Sequence, residues 1–115
     1  KDFILFDRFF DASVAYQGYG RGLSQDIIKN LITFTKCPHP DITFLLDIEV
    51  DEGFKRKFND KKDRIESSGK EFFEKVRSGY LVLSQDEPKR IKVLDAKKSI
   101  DELHKEIVSY VEVIL

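Results

Sequence analysis

An acid and a cation stand side by side at Asp7-Arg8, directly after the apolar run Phe3-Ile4-Leu5-Phe6. A carboxylate at a strand end suits Mg²⁺, directly or through water, and an arginine can grip a phosphate with two parallel N–H donors. In open α/β sheets, ligands bind beyond the carboxyl ends of the strands. The segment that follows, Asp11-Ala12-Ser13-Val14-Ala15-Tyr16-Gln17-Gly18, is small, polar or aromatic. Such side chains suit recognition of a flat ring beside a phosphate. Residue types alone leave alternatives open. Asp7 and Arg8 are equally what a structural ion pair looks like, and Tyr16 could belong to the core of an ordinary helix. The glycines of Gly18-Tyr19-Gly20-Arg21-Gly22 lack the Gly-Lys-Ser/Thr ending of a Walker-type phosphate loop.

Two further groups could carry chemistry. Residues 55–64 hold six basic side chains in ten positions, among them Arg56, Lys57, Lys61 and Lys62, and run on into Asp63-Arg64-Ile65-Glu66. Most charge runs are solvated helix faces. Basic residues on a movable segment can also close over a polyphosphate and oppose its charge. Asp95-Ala96-Lys97 stands at the end of a third strand-like run at residues 90–95. His39, His104 and Cys37 show no metal-ligand spacing, so no site built only from protein ligands is expected.

These residues need elements to position them. Residues 3–7 read as a buried strand, and 11–17 as a short helix. Gly18, Gly20 and Gly22 read as a flexible loop. Ile27, Ile28, Leu31, Ile32 and Phe34 have helical spacing over 24–36, ended by Cys37-Pro38-His39-Pro40. Residues 42–48 read as a second strand, and Asp51 as an N-cap. Ser68…Glu71 and Ser99…Glu102 match capping boxes for two later helices, with a third strand at 90–95 between them. Strands alternating with helices imply an α/β fold: a three-layer parallel sheet with helices on both faces.

Bulk properties narrow the class. The 115 residues are 41% hydrophobic with ten Phe, enough for one globular domain, and nothing divides 1–115 into two. The net charge of −1 argues against a protein that coats nucleic acid, and no apolar run nears the ~20 residues that span a bilayer. The single Cys37 allows no internal disulfide and fits a reducing cytoplasm.

The stretch Asp7-Arg8-Phe9…Ser13-Val14-Ala15-Tyr16-Gln17-Gly18…Gly20-Arg21-Gly22 resembles thymidylate kinase (dTMP kinase) of the bacterial type. So do Asp63-Arg64-Ile65-Glu66, Val76-Arg77-Ser78-Gly79-Tyr80 and Asp95-Ala96, in the family's order. The resemblance implies a P-loop nucleotide-kinase fold and transfer of the ATP γ-phosphoryl group to dTMP with Mg²⁺. It implies that Arg8 holds the acceptor phosphate and that Asp7 lies near Mg²⁺, as a ligand directly or through water. Ser13 and Gln17 would face the thymine edge, where a short hydroxyl can bond the ring. Tyr16 would pack near the deoxyribose and exclude a 2′-hydroxyl. Residues 54–66 would be the lid, with Arg56 near ATP, Lys61 and Lys62 as catalytic cations, and Glu66 near dTMP. Asp95, Ala96 and Lys97 would border the adenine, and Arg77 would sit in a structural ion pair. Partners would be dTMP and ATP, with no nucleic acid and no membrane. A homodimer is implied, with the 24–36 helix a candidate face, though an intramolecular core explains its apolar stripe equally well.

The chain departs from the pattern at Ala12, where relatives often carry a hydroxyl. The 115 residues also contain no Gly-x-x-x-x-Gly-Lys-Ser/Thr loop and no Met. The expectation is therefore the C-terminal half to two-thirds of such a kinase, inactive alone. In the family the phosphate-loop strand lies between the strands at 3–7 and 42–48. Without it, those two strands should fail to pair. The competing expectations are another P-loop nucleotide or nucleoside kinase, or a non-catalytic nucleotide-binding remnant.

Overall fold

The computed structural model describes residues 2–58 and 67–115. Side chains at 54, 56–58, 67 and 68 also lie outside the described set. Helix α1 (Phe10–Ser13) runs without a break into a π-helical segment (Val14–Gly20). There follow α2 (Gln25–Phe34), β1 (Thr43–Asp47), α3 (Val50–Phe58), α4 (Ser67–Asp86), β2 (Ile91–Asp95) and α5 (Ile100–Ile114). β1 and β2 pair in parallel, in register from Thr43 opposite Ile91 to Asp47 opposite Asp95. The described parts of the long crossover between them include helices α3 and α4.

The widest coil, at Val14–Gly20, contains Gly18 and Gly20, two of the three glycines expected to form a loop. The packing explains why. A Cβ on Gly20 would sit 2.8 Å from the Phe72 ring and 2.9 Å from Val76 Cγ2. A Cβ on Gly79, in the middle of α4, would lie 2.6 Å from Tyr19 Cβ. The π segment and α4 thus interlock through two positions that hold no side chain. Just past the segment's end stands Gly22, whose φ of +77° is left-handed. Leu23 N donates to Gln17 O (2.9 Å) and Gly22 N to Gly18 O (3.0 Å), a helix-ending turn widened by one residue.

Ser24 caps α2, its hydroxyl accepting from Ile27 N. At the other end Cys37 N donates to Ile32 O and Lys36 N to Thr33 O, with Lys36 left-handed at φ +53°. That is a Schellman ending in which lysine occupies the place glycine favours. The Ser99–Glu102 capping box forms in both directions, at 3.1 and 3.2 Å. Asp51 lies in the first turn of α3 rather than before it. The Ser68 side chain of the other expected box lies outside the described residues.

The core is small. Val14, Ile28, Leu83 and Ile91 cluster with Tyr19, Ile32 and Leu45 against them. Side chains alternate along a strand. Leu45 and Ile91 therefore share the face turned to α4 and the π segment, and Phe44 and Lys92 share the other. There Tyr110 of α5 approaches Phe44 (6.0 Å) and sits beneath the Lys92 ammonium (5.5 Å). The apolar stripe of α5 is half-buried at Leu103, Ile107 and Val111, while Ile100 and Val113 stand open to solvent; no α5 residue is fully buried.

The expected strand at 3–7 does not form. Residues 2–6 have no regular structure, and Leu5 is 95% exposed. The reason is physical: a strand exists only beside a partner that takes its amides and carbonyls. Among the described residues the sheet has two strands, β1 and β2. Residues 3–7 and β1 do not pair with each other, as expected if a third strand belongs between them.

Candidate functional site

Because residues 3–7 form no strand, Asp7 and Arg8 stand on a turn instead of a strand end. The Phe6 and Phe9 rings stack at 4.4 Å with planes 13° apart, closing that turn. Arg8 lies at its sharp point with φ +66°. For a non-glycine residue this conformation costs about 1–2 kcal/mol. Asp7 and Arg8 are both exposed. The Arg8 guanidinium lies 5.6 Å from the centroid of the Tyr16 ring. The structure therefore brings together two of the residues singled out for the acceptor, eight positions apart in the chain.

Tyr16, on the π segment, packs against aromatic rings of α4. Its ring is 6.2 Å from Phe72 and 6.3 Å edge-on from Tyr80. Arg21, at the end of the π segment, lies 5.8 Å over Phe72. Two guanidiniums thus flank one aromatic row, held by the quadrupoles of the rings. Burial pushes the Tyr80 phenol up to about 12, with Tyr16 adding to the shift and Arg8 opposing it. Ser13 is exposed and Gln17 half-buried, on the same continuous helical stretch as Tyr16.

The sheet's carboxyl edge carries a second group. Asp47 ends β1, and its carboxylate accepts from Arg77 Nε (2.8 Å) and Nη2 (3.1 Å). That bidentate pair is the structural role expected for Arg77, and the hydrogen bonds raise the guanidinium's pKa above its ordinary value. Asp95 ends β2. Its Oδ1 accepts from Lys97 N (2.9 Å), and Ala96 N donates to Asp47 O (2.9 Å). Asp95, Ala96 and Lys97 thus form a tight turn at the strand's end, its backbone braced by the adjoining strand. On each side of residues 59–66, Lys70 of α4 ties to Asp51 of α3 at 3.0 Å. The Arg56 side chain, Lys61, Lys62 and Glu66 lie outside the described residues.

Mg²⁺ keeps several waters and takes one or two carboxylates plus substrate phosphates. Asp7, exposed and without an ion pair among the described residues, fits that sparse protein share. No cluster of three or more His, Cys, Asp or Glu stands ready to hold a metal among the described residues.

Sequence reasoning missed a third group. The Arg90 guanidinium, ahead of β2, donates to both oxygens of Asp11 (2.8 and 3.0 Å) and both of Glu87 (3.1 and 2.6 Å). It also reaches Thr43 Oγ1 at 3.2 Å and lies 5.4 Å over the Phe10 ring. The bonds to Asp11, then those to Glu87, raise its pKa, and Arg90 in turn lowers that of Glu87. Nothing local in the sequence pairs residues 79 positions apart.

No helix among the described residues is long and apolar enough to cross a membrane. The thymidylate kinase family model matches residues 1–107. The thymidylate kinase of Chlorobium luteolum is 44% identical over 116 residues, covering 91% of this chain and 54% of the relative. That of Kosmotoga olearia is 44% identical over 110 residues, covering 94% and 53%. The crystal structure of thymidylate kinase from Ehrlichia chaffeensis superposes with a TM-score of 0.67 at 29% identity, covering 92% of this chain and 47% of that one. The chain thus spans about half the length of the curated relatives it matches, as a piece of the same P-loop α/β kinase architecture. With a match running almost from end to end, and Arg8 held against Tyr16 inside the most distinctive motif, the chain belongs to the thymidylate kinase family.

Proposed function

We propose that the chain supplies the acceptor side of a nucleoside monophosphate kinase that transfers the γ-phosphoryl group of ATP to dTMP, giving dTDP. The observation that carries this reading is the Arg8 guanidinium held 5.6 Å from the Tyr16 ring on an exposed turn. A cation and an aromatic face at that spacing match a phosphate linked through a sugar to a flat base. Arg8 grips the acceptor phosphate, Tyr16 packs on the deoxyribose, and Ser13 and Gln17 meet the base edge. The Asp95-Ala96-Lys97 turn borders the adenine through backbone atoms. Asp7 would contribute a carboxylate to Mg²⁺, directly or through water, and the ion would supply charge neutralisation for the phosphates. Residues 54–66 form the lid, with Arg56, Lys61 and Lys62 opposing the charge of the migrating group and Glu66 beside dTMP. Catalysis of this kind is mostly positioning and electrostatic stabilisation.

The exposed row Ile27, Leu31 and Phe34 of α2, with Leu23 just ahead of the helix, supports a homodimer built on that face. The reading places the protein in the cytoplasm. The test is ADP release by the full-length polypeptide with ATP, Mg²⁺ and dTMP, dUMP or dCMP in turn. The expected result is the highest kcat/KM with dTMP. Preference for another nucleotide would reassign it within the P-loop kinases. Nucleotide binding without ADP release would make it a binding remnant.

A further inference from the structure

Helix α1 starts without the usual device. Its N-cap, Phe9, makes no side-chain cap, and the first turn buries a carboxylate, Asp11. A buried carboxylate is costly unless paired, and here the pair is Arg90, both side chains about a tenth exposed. Arg90 joins four segments: the start of α1, the turn after α4 through Glu87, the first residue of β1 through Thr43, and its own place ahead of β2. Its guanidinium also covers Phe10, whose ring meets His39 edge-on at 5.1 Å. β2 has an independent hold in its backbone ladder with β1. α1 has only four residues, and its charged anchor is Asp11. The clamp therefore sets where α1 begins. Arg8 lies three residues before Asp11, and Ser13 and Tyr16 lie on the same continuous helical stretch.

We infer that Arg90 is a positioning residue for the acceptor site, fixing Asp11 so that Arg8, Ser13 and Tyr16 stand in one place. This rests on the reading of those three residues given above. It goes beyond a structural ion pair by making a selective claim: loss of Arg90 should impair use of dTMP and spare use of ATP.

The test is steady-state kinetics of the full-length polypeptide with Arg90→Gln, Arg90→Lys, Asp11→Asn and the Asp11→Asn/Arg90→Gln double variant. The KM for dTMP should rise about tenfold in Arg90→Gln, since a misplacement of about 1 Å can cost up to 10²-fold. The KM for ATP should stay within about twofold, because the backbone ladder that holds β2 is untouched. Arg90→Lys keeps the charge but loses the fork, so it should fall between. The double variant should be no worse than the worse single, as expected for partners in one interaction. If Arg90→Gln fails to fold, Arg90→Lys and Asp11→Asn carry the same comparison. Folded variants with unchanged KM for dTMP, or with both KM values raised together, would overturn the inference alone. A wild type that turns over no dTMP would sink the functional reading and this inference with it.

Discussion

Substituting Gly79 by alanine should destabilise the protein even though it improves a helix. Alanine in mid-helix is favoured over glycine by about 1 kcal/mol. Here the new methyl group would lie 2.6 Å from Tyr19 Cβ and Cγ and 2.7 Å from Cδ2. Carbon atoms settle at about 3.5–4.0 Å, so the overlap is on the order of 1 Å. Tyr19 Cβ is bonded to its own backbone and cannot swing aside, so the π segment must move away from α4. Overpacking of this kind costs roughly 1–3 kcal/mol, and its upper range applies where backbone must shift. The net expectation is a loss of about 1–2 kcal/mol, or roughly 4 °C in Tm per kcal/mol for a chain of this size. Gly69 provides the control. It lies in the first turn of the same helix with nothing within 4 Å of its would-be Cβ. Gly69→Ala should stabilise by about 0.4–1 kcal/mol. Thermal and urea melts of both variants, followed by far-UV circular dichroism, decide the matter. A Gly79→Ala protein as stable as the wild type would refute the interlock and the account of the π segment built on it.

The remaining predictions concern single contacts. Lys36→Gly should stabilise by about 1 kcal/mol, because it relieves a left-handed lysine at the end of α2; a urea melt checks the sign. Glu102 has its carboxyl held below the ordinary range by the Ser99 backbone N–H, and Glu87 has its own lowered by Arg90. A lowered carboxyl pKa stabilises above the unfolded value of about 4.3, and that contribution is lost as pH falls through the folded value. Stability should therefore drop below about pH 4.5, and the drop should be shallower in a Glu87→Gln/Glu102→Gln variant. Tyr80 runs the other way: its raised pKa stabilises below about pH 10 and is lost on the way to about 12. In an alkaline absorbance titration, Tyr80→Phe should remove the phenol step near pH 12.

What the sequence revealed followed the range of the interactions involved. The Ser99–Glu102 box, the proline stop after α2 and the helix 25–34 are set by neighbours within a few residues, and the apolar runs of the strands 43–47 and 91–95 show in their residue types. The Asp7-Arg8…Ala15-Tyr16-Gln17-Gly18 motif was legible because its residue types and spacing are distinctive. Gly20 and Gly79 were not, since a missing side chain announces flexibility as readily as close approach. Arg90 and Asp11 meet only through the tertiary fold. The strand at 3–7 had every local mark of a strand, yet pairing is a property of two segments, and one was lacking.

The central claim is that Arg8 and Tyr16 form the acceptor site, and calorimetric titration tests it most directly. The full-length wild type and Arg8→Gln would each be titrated with dTMP and with thymidine, which lacks the phosphate. A hydrogen-bonded charge pair contributes about 1.5–3 kcal/mol, so dTMP should bind the wild type roughly 10- to 100-fold more tightly than thymidine. In Arg8→Gln that advantage should largely vanish while thymidine affinity is kept. Equal affinity of the wild type for both ligands, or an undiminished preference for dTMP in Arg8→Gln, would contradict the account.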